Sequence, residues 1–127
     1  MQHLQGSCES LEVASRSATR GCRPILVNLT YTNGGMSFVF TDRGGRLVSF
    51  FGRIAHRTGS QATIKVGQIT LVPRGTATAT RLPASGSCVL TPFAADRARL
   101  DCSARAAGAT YSALFKTSGK GSRPITL

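Results

Sequence analysis

Arg53, His56, Arg57 and Lys65 bring three permanent cations and an imidazole into one short stretch of this 127-residue chain, with no carboxylate among them. Guanidinium groups recognise phosphate or carboxylate through paired donors, and an ammonium adds a compact positive charge. The chemistry such a grouping offers is anion binding, and a polyanion held this way should weaken steeply with salt. These four residues are the candidate ligand-binding rim.

Catalysis finds less support. A general base needs a partner that orients it, usually a carboxylate within hydrogen-bond reach. The chain has two histidines, His3 and His56, and five acids: Glu9, Glu12, Asp42, Asp96 and Asp101. None of the acids lies near His56 in sequence. Asp96 and Asp101 flank a predicted hairpin and could approach as a pair, but Arg97 and Arg99 stand between them, so local ion pairing accounts for them better. The expectation is a protein that is not an enzyme and uses no cofactor. An enzyme would have to assemble its site from distant residues.

Cys8 and Cys22 are separated by the same interval as Cys88 and Cys102. A zinc site brings its ligands in close couplets such as C-x-x-C, which are absent here. The spacing therefore predicts two local disulfides, Cys8–Cys22 and Cys88–Cys102, formed in an oxidising compartment. Buried free thiols in a cytosolic protein are the competing reading, and four cysteines allow three pairings. Beyond their spacing the two enclosed segments do not match, so no internal repeat is inferred.

The charge balance extends the anion argument. Sixteen basic residues against five acidic ones give +11, and thirteen of the sixteen are arginine. From Arg43 through Ala95 there is no carboxylate side chain, while seven cations fall in that stretch. Such a field attracts polyanions: nucleic acid, anionic lipid head groups, acidic glycans or an acidic protein. The competing explanation is a solubility bias, since the charges are spread along the chain. Single-stranded nucleic acid is normally held on exposed aromatics. Phe38, Phe40, Phe50 and Phe51 read as core, leaving Tyr31, Phe93 and Tyr111 as surface candidates, which argues against nucleic acid. The partner expected is an anionic polymer or an acidic protein.

The elements that must carry these residues are strands. Ile25, Val27, Leu29 and Tyr31 alternate with Leu26, Asn28 and Thr30, which predicts a strand with the odd-numbered residues on its apolar face. Asn33-Gly34-Gly35 supplies a hairpin turn, and Met36, Phe38 and Phe40 alternate on the return strand. After Asp42-Arg43-Gly44-Gly45, Leu47–Ile54 is apolar on both faces and is expected to be covered on both sides. Its length should separate Arg43 and Arg46 from Arg53 and Arg57. His56–Gln61 reads as a loop. Thr63–Val72 changes parity beside Gly67, as a β-bulge would require. Thr76–Thr80 reads as a weak edge strand and Pro83–Ser87 as a loop. Cys88–Pro92 and Arg99–Ala104 then form a hairpin, and Ala109–Thr117 a last strand. Glu9–Thr19 admits a strand or a short helix. Asn28-Leu29-Thr30 matches a glycosylation acceptor by pattern alone.

Seven or eight short strands with frequent turns predict an all-β fold, an antiparallel sandwich or small barrel stapled by two local disulfides. Residues 1–7 read as a flexible leader, 8–117 as one domain and 118–127 as a basic Gly-rich tail. No apolar run approaches the roughly 20 residues that span a bilayer, leaving peripheral membrane contact open. The expected location is periplasmic or secreted, with a signal segment already removed. The stretch Gly108–Tyr111, Lys116 and Gly119–Gly121 resembles the last strand of the small periplasmic inhibitors of c-type lysozyme, which are β-barrels stapled by a disulfide. That resemblance implies a lysozyme partner, which is itself basic and would be repelled by this chain.

Overall fold

The computed structural model describes residues 2–75, 78–94 and 97–118. Among them nine strands follow in chain order: β1 (Gln2–Val13), β2 (Arg16–Ser17), β3 (Cys22–Thr30), β4 (Gly35–Asp42), β5 (Leu47–Thr58), β6 (Gln61–Val72), β7 (Thr80–Ala94), β8 (Arg97–Ala106) and β9 (Ala109–Thr117). A single 3-10 turn, Thr19–Gly21, joins β2 to β3. From β3 to β9 each strand pairs antiparallel with the next. The sheet closes because β1 pairs with β3 through Gln2–Gln5 and with β9 through Gly6–Glu12. The result is an eight-stranded antiparallel barrel, with β2 added beside the end of β1. Closure removes the unpaired strand edges that an open sandwich must protect.

Alternation packs the barrel axis. Phe38, Phe40, Phe50 and Phe115 are fully buried together with Leu4, Leu26, Ile64 and Leu100. Phe40 meets Phe50 and Phe115 edge-on, at 5.8 and 6.3 Å between centroids. In β8 the pattern is cleanest: Ala98, Leu100, Cys102, Ala104 and Ala106 face inward while every alternate residue is exposed.

Both disulfides are formed as paired from the spacing. Cys88 and Cys102 are directly opposed in β7–β8 and lie in the core. Cys8–Cys22 has a different task. The β1–β3 ladder ends at Gln5↔Ile25, and the disulfide holds the two strands together beyond that point, where β2 and the 3-10 turn intervene.

The parity change expected beside Gly67 is present. The β6–β7 register shifts between Val66 and Gln68, so that Ile64, Val66 and Ile69 all point into the core. On the facing strand a second shift falls between Phe51 and Gly52. There β5 and β6 approach so closely that a Cβ on Gly52 would collide with the Lys65 carbonyl.

Several local expectations are corrected. On β3 the faces are reversed: Leu26 and Asn28 are buried, while Ile25, Val27 and Leu29 lie outside and are only half-buried. The β3–β4 turn sets Thr30 opposite Met36, which places Leu26 against Phe40 and Asn28 against Phe38. Opposed residues share a face, so the three large inward residues of β4 decide which side of β3 is inside. Residues Gln2–Ser7, expected to be flexible, form the first half of β1, and Leu4 is fully buried. His56–Thr58 continue β5, so only Gly59 and Ser60 make the turn. Pro83–Ser87 lie within β7. Of the two readings of Glu9–Thr19 the strand holds as far as Val13, with Leu11 and Val13 both inward. Tyr111 is buried at 3 % exposure. Phe51 is half-buried on the outer face, against Tyr31, because among the described residues no second sheet or helix packs over this part of the barrel wall. Thr76, Ala77, Ala95, Asp96 and the tail beyond Ser118 lie outside the described residues.

Candidate binding face

Two bulges position the predicted anion-binding residues. After the shift at Gly52, Arg53 stands directly opposite Lys65 on neighbouring strands. Both are exposed on the outer face, flanking inward-pointing Ile64. A further shift between Ile54 and His56 sets His56 opposite Thr63 and Arg57 opposite Ala62. His56 therefore shares the outer face with Arg53 and Lys65. Arg57 takes the parity of the buried Ala62 and stands exposed at the barrel mouth. The structure thus brings Arg53 and Lys65 together, keeps His56 beside them, and turns Arg57 away.

The hydrogen bonds sharpen this picture. Arg53 Nη1 donates to the Asn33 carbonyl oxygen at 2.7 Å, tying β5 to the β3–β4 hairpin. The hairpin tip is itself fixed by Gly35 N–H donating to Asn33 Oδ1 at 3.0 Å. Part of the Arg53 guanidinium is therefore structural, while the residue stays exposed on the outer face. His56 Nε2 lies 2.7 Å from Thr58 Oγ1, so its partner is a hydroxyl. Among the described residues three carboxylates are engaged elsewhere: Asp42 with Arg46 at 3.0 Å, Asp101 with Arg99 at 3.7 Å, and Glu12 with the Ser112 hydroxyl at 3.5 Å. The fourth, Glu9, is exposed on β1, which pairs with neither β5 nor β6. Arg43 and Arg46 sit at the opposite end of β5 from Arg53 and Arg57, as its length requires. No three His, Cys, Asp or Glu side chains among the described residues are grouped to hold a metal.

Arg53 and Lys65 border a shallow cleft of about 270 Å³ whose other walls are Phe51, Gly52, Gly67 and Gln68. This cleft runs into a second one, about 380 Å³, which shares Phe51 and Gln68 with it. The second cleft crosses the outer faces of β3 to β7. Leu29, Val39, Leu47 and Val72 contribute apolar walls, and Arg81 closes one end. Sequence reading missed this apolar face, although its signal was visible in Leu47–Phe51, where both parities are apolar.

A second exposed cationic area lies on β7–β9. Phe93 is 52 % exposed and Arg97 stacks over its ring at 5.6 Å. Arg99 stands opposite Lys116. Here Asp101 supplies a local counter-charge to Arg99, which the Arg53–Lys65 pair lacks among the described residues. The cross-strand pair on β5 and β6 is therefore the less compensated of the two.

No protein-family model matches this chain, and comparison with curated proteins and with solved structures gave no match. Among the described residues no helix is long and apolar enough to cross a membrane.

Proposed function

We propose that this protein is an exported, non-catalytic binding module that recognises an anionic partner through the face built around Arg53 and Lys65. One observation carries the reading. Like charges placed directly opposite one another on paired strands destabilise a sheet, yet Arg53 and Lys65 occupy such positions with no carboxylate side chain between Arg43 and Ala95 to relieve them. An anion seated between them removes that repulsion. His56 extends the face along β5, and Arg57 adds to the field from the barrel mouth. The two disulfides support an oxidising location.

The reading is tested with heparin and with anionic vesicles as probes. Affinity should fall steeply between about 50 mM and about 150 mM NaCl, because each neutralised anion releases counterions. Lys65→Ala should lower the affinity and flatten the salt slope, while Arg57→Ala should act weakly. An affinity indifferent to salt, or untouched by Lys65→Ala, would reject the proposal.

A further inference from the structure

We infer that the apolar cleft beside Arg53 and Lys65 docks a protein partner presenting one bulky apolar side chain flanked by carboxylates. This rests on the anion-binding reading and names the class of partner.

The shape follows from cross-strand registers. One row on the outer face runs Leu29–Ser37–Phe51–Gln68, and the next runs Val39–Ser49–Thr70–Arg81. Leu47 and Val72, opposed on β5 and β6, form a third row. Ser37 and Ser49 are diagonal neighbours at the centre, and their small side chains leave a depression between larger ones. Neighbouring strands lie about 4.8 Å apart, so the depression spans a few strands and suits a single inserted side chain.

One wall is held in place beforehand. Tyr31 is 45 % exposed, meets Phe51 edge-on at 5.7 Å, and its hydroxyl lies 3.3 Å from Ser37 Oγ. Fixed aromatic walls around a small pocket are what energetic anchors at protein interfaces use.

Charge and polarity then select the occupant. Arg81 stands at one end of the cleft, and Arg53 and Lys65 lie beyond Phe51 and Gln68. An apolar group entering here is flanked by cations, so its neighbours should be carboxylates. Ser37 already pairs with Tyr31, and Gln68 Nε2 donates to Thr70 Oγ1 at 3.1 Å, so the Ser49 hydroxyl is the group that a lipid chain laid here would cover without giving it a partner. A second copy of this chain would bring its own +11 charge. A protein surface supplies both the apolar group and the hydrogen bonds.

The test uses a short labelled peptide of Glu, Asp and Ser with one central Phe, its counterpart with Ala in that place, and phosphatidylglycerol vesicles. The Phe peptide should bind about tenfold more tightly than the Ala peptide, shifting the amide signals of Ser49 and Thr70. Ser49→Phe fills the depression from the solvent side and should abolish that difference while leaving salt-sensitive heparin retention intact. Thr70→Phe fills it from β6 and provides the same readout should the first variant misfold. Equal binding of the two peptides overturns the apolar anchor while the anion reading stands. Vesicle binding lowered by Ser49→Phe, with neither peptide bound, overturns the protein partner in favour of a membrane. Loss of heparin binding by the unaltered protein would defeat the anion reading itself.

Discussion

Asn28 is buried inside the barrel wall and donates from its side-chain amide to the Ser37 carbonyl oxygen at 3.2 Å across β3 and β4. A polar side chain at that depth is tolerated because it is satisfied, and losing its partner would cost about 1–3 kcal/mol. Asn28→Ala should therefore destabilise the protein by about 1–2 kcal/mol in chemical denaturation. Asn28→Asp should be worse, since it places a carboxylate beside Phe38 with no cation opposite. If Asn28→Asp were harmless near neutral pH, the inward orientation of β3 would be wrong.

Lys65 links binding to stability. Lys65→Glu converts a repulsive cross-strand pair with Arg53 into an attractive one, worth about 0.5 kcal/mol at an exposed position. The variant should melt at a slightly higher temperature, by about 2 °C, and elute from heparin at lower salt. A gain in stability together with a loss of binding is what a site maintained for a ligand produces. A fall in both would place Lys65 in the scaffold instead.

Period-two alternation made most of the barrel legible in advance, with β8 and the β3–β4 hairpin the clearest cases. Gly67 even marked its bulge, because Ile64 and Ile69 cannot both be inside without one. What alternation could not decide was which face of β3 is inward: Ile25, Val27 and Leu29 are as apolar as Leu26. That choice belongs to β4, whose phenylalanines outweigh both sets, and it is transmitted through a register that no single strand encodes. The apolar cleft was hidden by the same ambiguity. A strand apolar on both sides reads as doubly covered, whereas Phe51 and Leu47 form part of an open wall. The cationic pair was only half legible. Proximity in sequence grouped Arg53, His56, Arg57 and Lys65, but two bulges decide which of them meet.

The disulfides enclose chain segments of equal length, each pair separated by 14 positions. Loop-closure entropy is thus the same for both, about 3 kcal/mol. Burial is not. Cys88 and Cys102 are fully buried, whereas Cys8 and Cys22 are half-buried. Replacing Cys88 and Cys102 by Ala should cost about 1–2 kcal/mol more than the same change at Cys8 and Cys22, because it also leaves a void in the core. Mild reductant followed by alkylation and peptide mass mapping should label Cys8 and Cys22 first. Hydrogen exchange should then rise at the start of β3, where no ladder to β1 replaces the bond.

The β1–β2 turn carries strain that substitution can expose. Ala14 and Ser15 have φ of 52° and 65°, in the left-handed region that side chains disfavour by about 1–2 kcal/mol. Two-residue hairpin turns need such angles and normally use Gly or Asn. Ser15 has a compensation: its N–H donates to the Thr110 carbonyl at 2.8 Å, and its Oγ accepts from the Thr110 N–H at 2.9 Å. Ala14 has none among its side-chain atoms. Ala14→Gly should stabilise the protein by about 1 kcal/mol, offset in part by unfolded-chain entropy. Ser15→Gly should be close to neutral, because relief of the angle is cancelled by loss of the Oγ contact. Ser15→Ala keeps the strain and loses the contact, so it should destabilise by about 1 kcal/mol. Thermal melts of the three variants must fall in that order; a Ser15→Gly that stabilises as much as Ala14→Gly would mean the bond to Thr110 contributes nothing.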